Sequence, residues 1–172
     1  MKINKFNFII VVIITIMIAC AVYFIVKSSL KRKNVEYPFF VSTKTALTNV
    51  RTGAGVDYPI LISYKAYSVP LKVLEKYNEW YKVQNFNGSV GWVAISLVVK
   101  KPSAIVLKQS NLYITSDLQS KLIGIIKKDN IVLIDGCKQD LCKIIFKNSN
   151  KEQKKEVSGW IVKQNLWGDV GN

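Results

Sequence analysis

The 172-residue chain carries 25 basic against 11 acidic residues, a formal net charge of +14, and no histidine. Without histidine the commonest general base and the commonest metal ligand are both missing, which sets enzymatic and metal-binding functions at a disadvantage. From Pro38 onward 19 basic residues stand against 10 acidic ones with no dense run, a balance that suits anionic envelope polymers, lipid headgroups or a plain solvated lysine surface, and lacks the basic stripe interleaved with aromatics that nucleic acid asks for.

The run 6–26, opened by Phe6 and closed by Val26, has no charge and only Asn7 and Thr15 as polar interruptions. At ~1.5 Å per residue it spans a hydrocarbon core of about 30 Å, and being apolar on every side it reads as a transmembrane helix. Ala19-Cys20-Ala21 resembles a signal-peptide cleavage site, and Ile18-Ala19-Cys20 loosely resembles a lipoprotein box. The apolar run nevertheless continues through Val22 to Val26, so an uncleaved signal anchor is the expectation. The flanking charges pull the other way on orientation. Lys27, Lys31, Arg32 and Lys33 outnumber Lys2 and Lys5, and the positive-inside rule alone would leave the C-terminal part in the cytoplasm.

After Tyr37 about 135 residues remain, in short alternating segments rich in Val, Ile, Tyr and Trp and punctuated by Gly, Asn and Asp. That pattern is β-rich. Strands are expected at 46–51, 69–76, 80–86 and 89–94, the last two joined by Asn87-Gly88, a pair suited to a type I′ hairpin because both residues tolerate positive φ. A second set follows at 104–108, 124–126, 131–135, 141–146 and 157–162.

The two sets align as a repeat of roughly 60 residues. Trp80-Tyr81-Lys82-Val83 matches Leu141-Cys142-Lys143-Ile144, Gly91-Trp92-Val93 matches Gly159-Trp160-Ile161, and Leu97 matches Leu166. The second copy carries a longer hairpin loop, 148–155, and Lys100-Lys101-Pro102-Ser103 is the natural joint. The expected organisation is therefore an anchor and basic linker at 1–37, a first module at 38–101 and a second at 102–172. Modules this small have thin cores.

Thr48-Asn49-Val50-Arg51-Thr52-Gly53, Tyr58-Pro59, Val69 to Leu74, Trp80-Tyr81-Lys82-Val83 and Gly91-Trp92-Val93 resemble the bacterial SH3 (SH3b) family, in which N-x-R-x-G and G-W-V bracket the module. The second copy departs from that pattern, with Leu112-Tyr113-Ile114 read at the place of N-V-R. Its cysteine pair and its ending Asn165-Leu166-Trp167-Gly168 look like the second half of a two-module proteobacterial branch of the family. The resemblance implies an all-β fold of two tandem SH3-like small β-barrels after one N-terminal transmembrane helix, an exported location and no catalytic activity.

Cys137 and Cys142 enclose four residues. The spacing is not the Cys-x-x-Cys of thioredoxin-type chemistry, and a zinc site would need further Cys or His, which the chain lacks beyond Cys20 within the membrane segment. Across adjacent antiparallel strands the pair can close a disulfide at a Cα separation of about 5.5 Å. Its competitor is two reduced thiols packed as small hydrophobes in a cytoplasmic domain. Leu141 in place of Trp80 suggests that the second core has lost an aromatic and leans on this clamp.

Arg51, in the N-x-R-x-G context, either ties down the loop after it through backbone carbonyls or contacts ligand. Gly53 and Gly55 are turn formers, with no Lys-Ser/Thr behind them for a phosphate loop. In the strand 80–86, Trp80 and Lys82 share one face, Tyr81 and Val83 the other, so Tyr81 belongs to the core and Trp80 to the surface. Tyr58, Tyr64, Trp80, Trp92 and Arg51 are the candidate peptide groove; the other reading takes these aromatics as core and rim packing.

The functional expectation is a non-enzymatic, membrane-tethered module of the cell envelope that uses no cofactor or metal. It is single-pass in the inner membrane with its C-terminal part in the periplasm, where it holds a cell-wall stem peptide, peptidoglycan or an envelope protein. The alternative is a structural or adaptor subunit of a membrane complex, its barrels packed on each other with no open groove.

Overall fold

The computed structural model describes residues 5–29, 35–147 and 156–171; within the first of these segments, side chains are described for residue 10 and residues 12–25. The loop 148–155 and the flanking residues Lys2, Lys31, Arg32 and Lys33 lie outside the described residues. The chain divides into two compact units, Met1–Glu36 and Tyr37–Asn172.

Among its described residues the first unit holds the α-helix α1 (Lys5–Ser29), whose 25 residues extend roughly 37 Å at the usual helical rise. Phe6 and Val26 both fall within it. Ile13, Ile16, Met17 and Phe24 are exposed, so apolar surface surrounds the helix instead of forming one stripe. Its one polar interruption among the described side chains is satisfied locally, Thr15 Oγ1 donating to Val12 O at 2.8 Å. The continuous stretch of α1 whose side chains are described, 12–25, covers only about 21 Å of helix, and among the described residues no helix is long and apolar enough to cross a membrane.

The described residues of the second unit are mostly β, in two antiparallel sheets of seven strands, with short 3₁₀ turns at Ile95–Leu97 and Lys163–Asn165. The first contains β1 (Phe39–Thr43), β2 (Thr48–Arg51), β3 (Ile60–Tyr64), β4 (Pro70–Tyr77), β5 (Trp80–Gln84), β6 (Val90–Ala94) and β7 (Val98–Val99). The second contains β8 (Ser103–Val106), β9 (Ser110–Tyr113), β10 (Leu122–Ile126), β11 (Ile131–Lys138), β12 (Leu141–Lys147), β13 (Glu156–Val162) and β14 (Leu166–Gly168). The strand orders are β3-β2-β6-β5-β4-β1-β7 and β10-β9-β13-β12-β11-β8-β14, one topology used twice.

Both cores are built from small branched side chains on the inward face of each strand. Val41, Val50, Leu71, Val73, Val83, Val93 and Val98 fill the first, with Tyr64 and Tyr81 packed against them. Ala104, Val106, Leu112, Ile126, Val132, Cys142, Ile144, Ile161 and Leu166 fill the second. Period-two alternation produces this, since residues two apart in a strand share a face.

Register corrects the sequence alignment in two places. Arg51 lies opposite Trp92 and Tyr113 opposite Trp160, so Asn111-Leu112-Tyr113, and not Leu112-Tyr113-Ile114, stands at the place of Asn49-Val50-Arg51. Leu166 pairs with Val106 as Val98 pairs with Thr43, so the partner of Leu166 is Val98, and Leu97 corresponds to Asn165. The β5–β6 connection is also not a two-residue type I′ turn. Asn85 Oδ1 accepts from Asn87 N and Ser89 N at 3.0 and 2.9 Å, and only Gly88 has positive φ. The Asn85 side chain organises a longer loop by itself.

Cys137 and Cys142 face each other across β11 and β12 and form a disulfide with Cα atoms 4.0 Å apart, nearer the narrow pairs of an antiparallel ladder than the wide ones. The two modules meet along β1 and β4 of the first and β8 and β14 of the second. The Phe40 and Trp167 rings are edge to face at 5.1 Å. Ser42 Oγ donates to Lys101 O and accepts from Ser103 Oγ, both serines being buried. Buried hydroxyls left unpaired would be costly, so this bonded pair fixes the register of the joint.

Candidate functional site

The outward face of β2, β6, β5 and β4 presents one continuous row. Arg51 pairs with Trp92, Trp92 with Lys82, and Lys82 with Glu75. Trp80 extends the face, lying opposite Tyr77 on β4 and Ala94 on β6. The same alternation that sends Val83 and Val93 inward turns Lys82 and Trp92 outward.

Contacts within the row fix its geometry. The Tyr77 and Trp92 rings are edge to face at 6.4 Å, and Lys82 Nζ lies 5.8 Å from the centre of the Trp92 ring. Lys82 is also 3.4 Å from Glu75 Oε1, an exposed ion pair worth under about 1 kcal/mol that serves mainly to hold the ammonium beside the indole. Trp80 and Trp92 are half-buried and Tyr77 is exposed, so the face offers ring surface to a ligand.

The candidate residues do not all gather there. Trp80, Trp92 and Arg51 share the face. Arg51 Nη1 donates to Tyr58 O at 2.7 Å, linking strand β2 to the loop 52–59, which also closes through Thr52 N to Pro59 O at 3.0 Å. The Tyr58 ring lies over Gly53 and Gly55, where an added Cβ would collide with it, so it packs on its own loop.

Tyr64 is on the opposite side. It shares the inward face of β3 with Ile62 and packs on the core, and burial pushes its phenol above the ordinary value while the hydrogen bond from Asn85 Nδ2 at 3.2 Å draws it partly back. Tyr64 is thus a core and loop-anchoring residue and does not line the groove. Sequence reasoning also left out Tyr77, Glu75 and, as a site residue, Lys82. The signal for Lys82 was its shared parity with Trp80, whereas Tyr77 and Glu75 require the β4–β5 register.

The second module repeats the row with different chemistry. Tyr113 pairs with Trp160 and Trp160 with Lys143, and Lys143 Nζ is 2.8 Å from Asp135 Oδ2. At the places of Trp80 and Tyr77 stand Leu141 and Lys138, which pair with each other across the hairpin. Among the described residues no group of three or more His, Cys, Asp or Glu is placed to hold a metal ion.

Residues 45–99, the first module, match the bacterial SH3 domain family. Among solved structures the chain is similar to NlpC1 from Trichomonas vaginalis, at 11% identity and a TM-score of 0.33 over 78% of this chain and 47% of that one. NlpC2 from the same organism matches at 11% identity and a TM-score of 0.33, with 78% and 49% covered. The chain thus spans about half the length of these structures. No curated protein matches it.

Proposed function

We propose that this chain, with a bacterial SH3 domain as its first module, is a non-catalytic binding protein tethered in the cell envelope. Helix α1 anchors it once in the inner membrane, and the modules lie in the periplasm. There the Trp80–Trp92 face holds an extended peptide, either a cell-wall stem peptide or a segment of an envelope protein.

The observation that carries this reading is the row Arg51, Trp92, Lys82 and Glu75 beside Trp80 and Tyr77. Aromatic surface with fixed charges beside it is the kind on which SH3-type modules lay extended peptides, whose ordering cost on binding is small. The apolar α1 supports the tether, and the Cys137–Cys142 disulfide supports an oxidising compartment. Tethering raises effective concentration, so a weak site suffices.

A specific observation favours a second reading. The buried Ser42–Ser103 pair and the Phe40–Trp167 contact join the modules, as in an adaptor whose barrels pack on each other and contact one membrane complex without a ligand groove. Pull-down with the full chain in detergent, against peptidoglycan and envelope extract, separates the two. Enrichment lost in W80A supports the peptide face; equal recovery by W80A removes it and leaves the adaptor reading.

A further inference from the structure

We infer that the second module carries a separate binding site, for a small ligand that bears both an ammonium and a carboxylate on a short aliphatic body, such as a free dipeptide of small residues. The site is a cleft of about 300 Å³ between the β9–β10 loop and the tip of the β11–β12 hairpin. Its volume lies at the lower end of small-ligand pockets.

Leu141 pairs with Val162 as Trp80 pairs with Ala94, so a buried leucine stands where the first module has a half-buried indole. Leu141 and Val162 form an apolar floor, with Leu118 on the loop wall. Charge of both signs surrounds this floor: Lys138 and Asp140 from the hairpin tip, Asp117 from the loop.

Both walls are held in place without a ligand. Asp117 Oδ1 accepts from Gln119 N at 2.9 Å, and Ser120 Oγ donates to Asp117 O at 2.6 Å. On the other side Lys163 N donates to Asp140 O at 2.8 Å, and the Cys137–Cys142 disulfide closes the hairpin directly beside Lys138 and Leu141. A preorganised cleft avoids an ordering cost on binding.

The lining selects the ligand class. An aliphatic body rests on Leu141 and Val162, a carboxylate meets Lys138, and an ammonium meets Asp117 or Asp140. The charged groups are exposed, so each contact is individually weak, and the affinity is expected in the millimolar range. This site does not depend on the peptide face of the first module.

The test is NMR on the ¹⁵N-labelled full chain in detergent micelles, titrated with alanyl-alanine. Saturable shifts are expected at the amides of residues 116–119 and 138–141. Derivatives with an acetylated amine or an amidated carboxylate, and the variants K138Q and D117N/D140N, are expected to bind about tenfold more weakly or worse, the loss of one charge-assisted contact. Asn at 117 keeps the acceptor for Gln119 N, so the loop survives the substitution. Absence of a saturable shift, equal binding of the doubly capped dipeptide, or an unchanged response in K138Q overturns the inference.

Discussion

Cys142 occupies in the second barrel the position that Tyr81 occupies in the first: Tyr81 pairs with Val93 and Lys76, Cys142 with Ile161 and Cys137. The large core aromatic missing from the second module is therefore that of Tyr81. Trp80 faces outward, so Leu141 in its place does not thin the core. Cys142 is fully buried, and Cys137 packs against the same cluster, so the disulfide substitutes for an aromatic in filling the barrel. Closing so short a loop contributes about 2 kcal/mol in the loop-closure model. Reduction is expected to lower the melting temperature of the second module and largely spare the first. Thiol labelling before reduction is expected to reach Cys20 alone; labelling of Cys137 and Cys142 in protein from its native compartment would overturn both the bond and the exported location.

Gly91 and Gly159 are the second point of exact correspondence between the modules. A Cβ at Gly91 would meet Val50 Cγ1 at 2.6 Å and Arg51 O at 2.8 Å; at Gly159 it would meet Leu112 Cγ at 2.7 Å and Tyr113 O at 2.8 Å. The backbone oxygen cannot swing aside, so overpacking of about 1–3 kcal/mol is expected from alanine at either site. G91A is expected to destabilise the first module and G159A the second, as followed by module-specific amide exchange. Unchanged exchange in either variant would show that the strands approach less closely than described.

Tyr64 gives the fold an alkaline limit. Its phenol is raised above the ordinary value of 10.0 by burial. The unfolded chain then loses this proton at lower pH than the folded one, so the contribution of Tyr64 is complete below about pH 10 and falls as pH rises through the folded value. Denaturant unfolding at a series of pH values is expected to show this loss in the unmodified chain and a shallower one in Y64F. Identical alkaline profiles would remove the assignment.

The joint between modules is testable by a double-mutant cycle on Phe40 and Trp167. Their edge-to-face contact at 5.1 Å is expected to give a coupling of about 0.5–1.5 kcal/mol. A coupling of zero between F40A and W167A would mean that the modules do not hold each other through these rings.

Much of this architecture was legible in the sequence because period-two alternation is a local signal. It marked the central strands β4, β5, β6, β11, β12 and β13 and the opposed faces of Trp80 and Tyr81. It also reached the short β2, β8 and β10, whereas β1, β3, β7, β9 and β14 escaped it. Arg51, Trp92 and Trp80 were legible as site candidates through motif and parity. Tyr64 was misassigned because an aromatic on an edge strand carries no sign of which face it takes; its inward orientation follows from the pairing of Val50 with Ile62. The one-residue error at Tyr113 had the same origin, since register between distant strands is a tertiary property.

The central claim, that the outward face of the first module holds a peptide, is tested most directly on the indole N–H resonances of the four tryptophans, Trp80, Trp92, Trp160 and Trp167. The full chain in micelles is titrated with soluble peptide-bearing fragments released from the source organism's own cell wall. Saturable shifts at Trp80 and Trp92, with Trp167 unmoved in the joint, are the expected result, and they are expected to vanish in the Lys82→Glu variant. Titration to saturation of solubility with neither Trp80 nor Trp92 responding would contradict the claim.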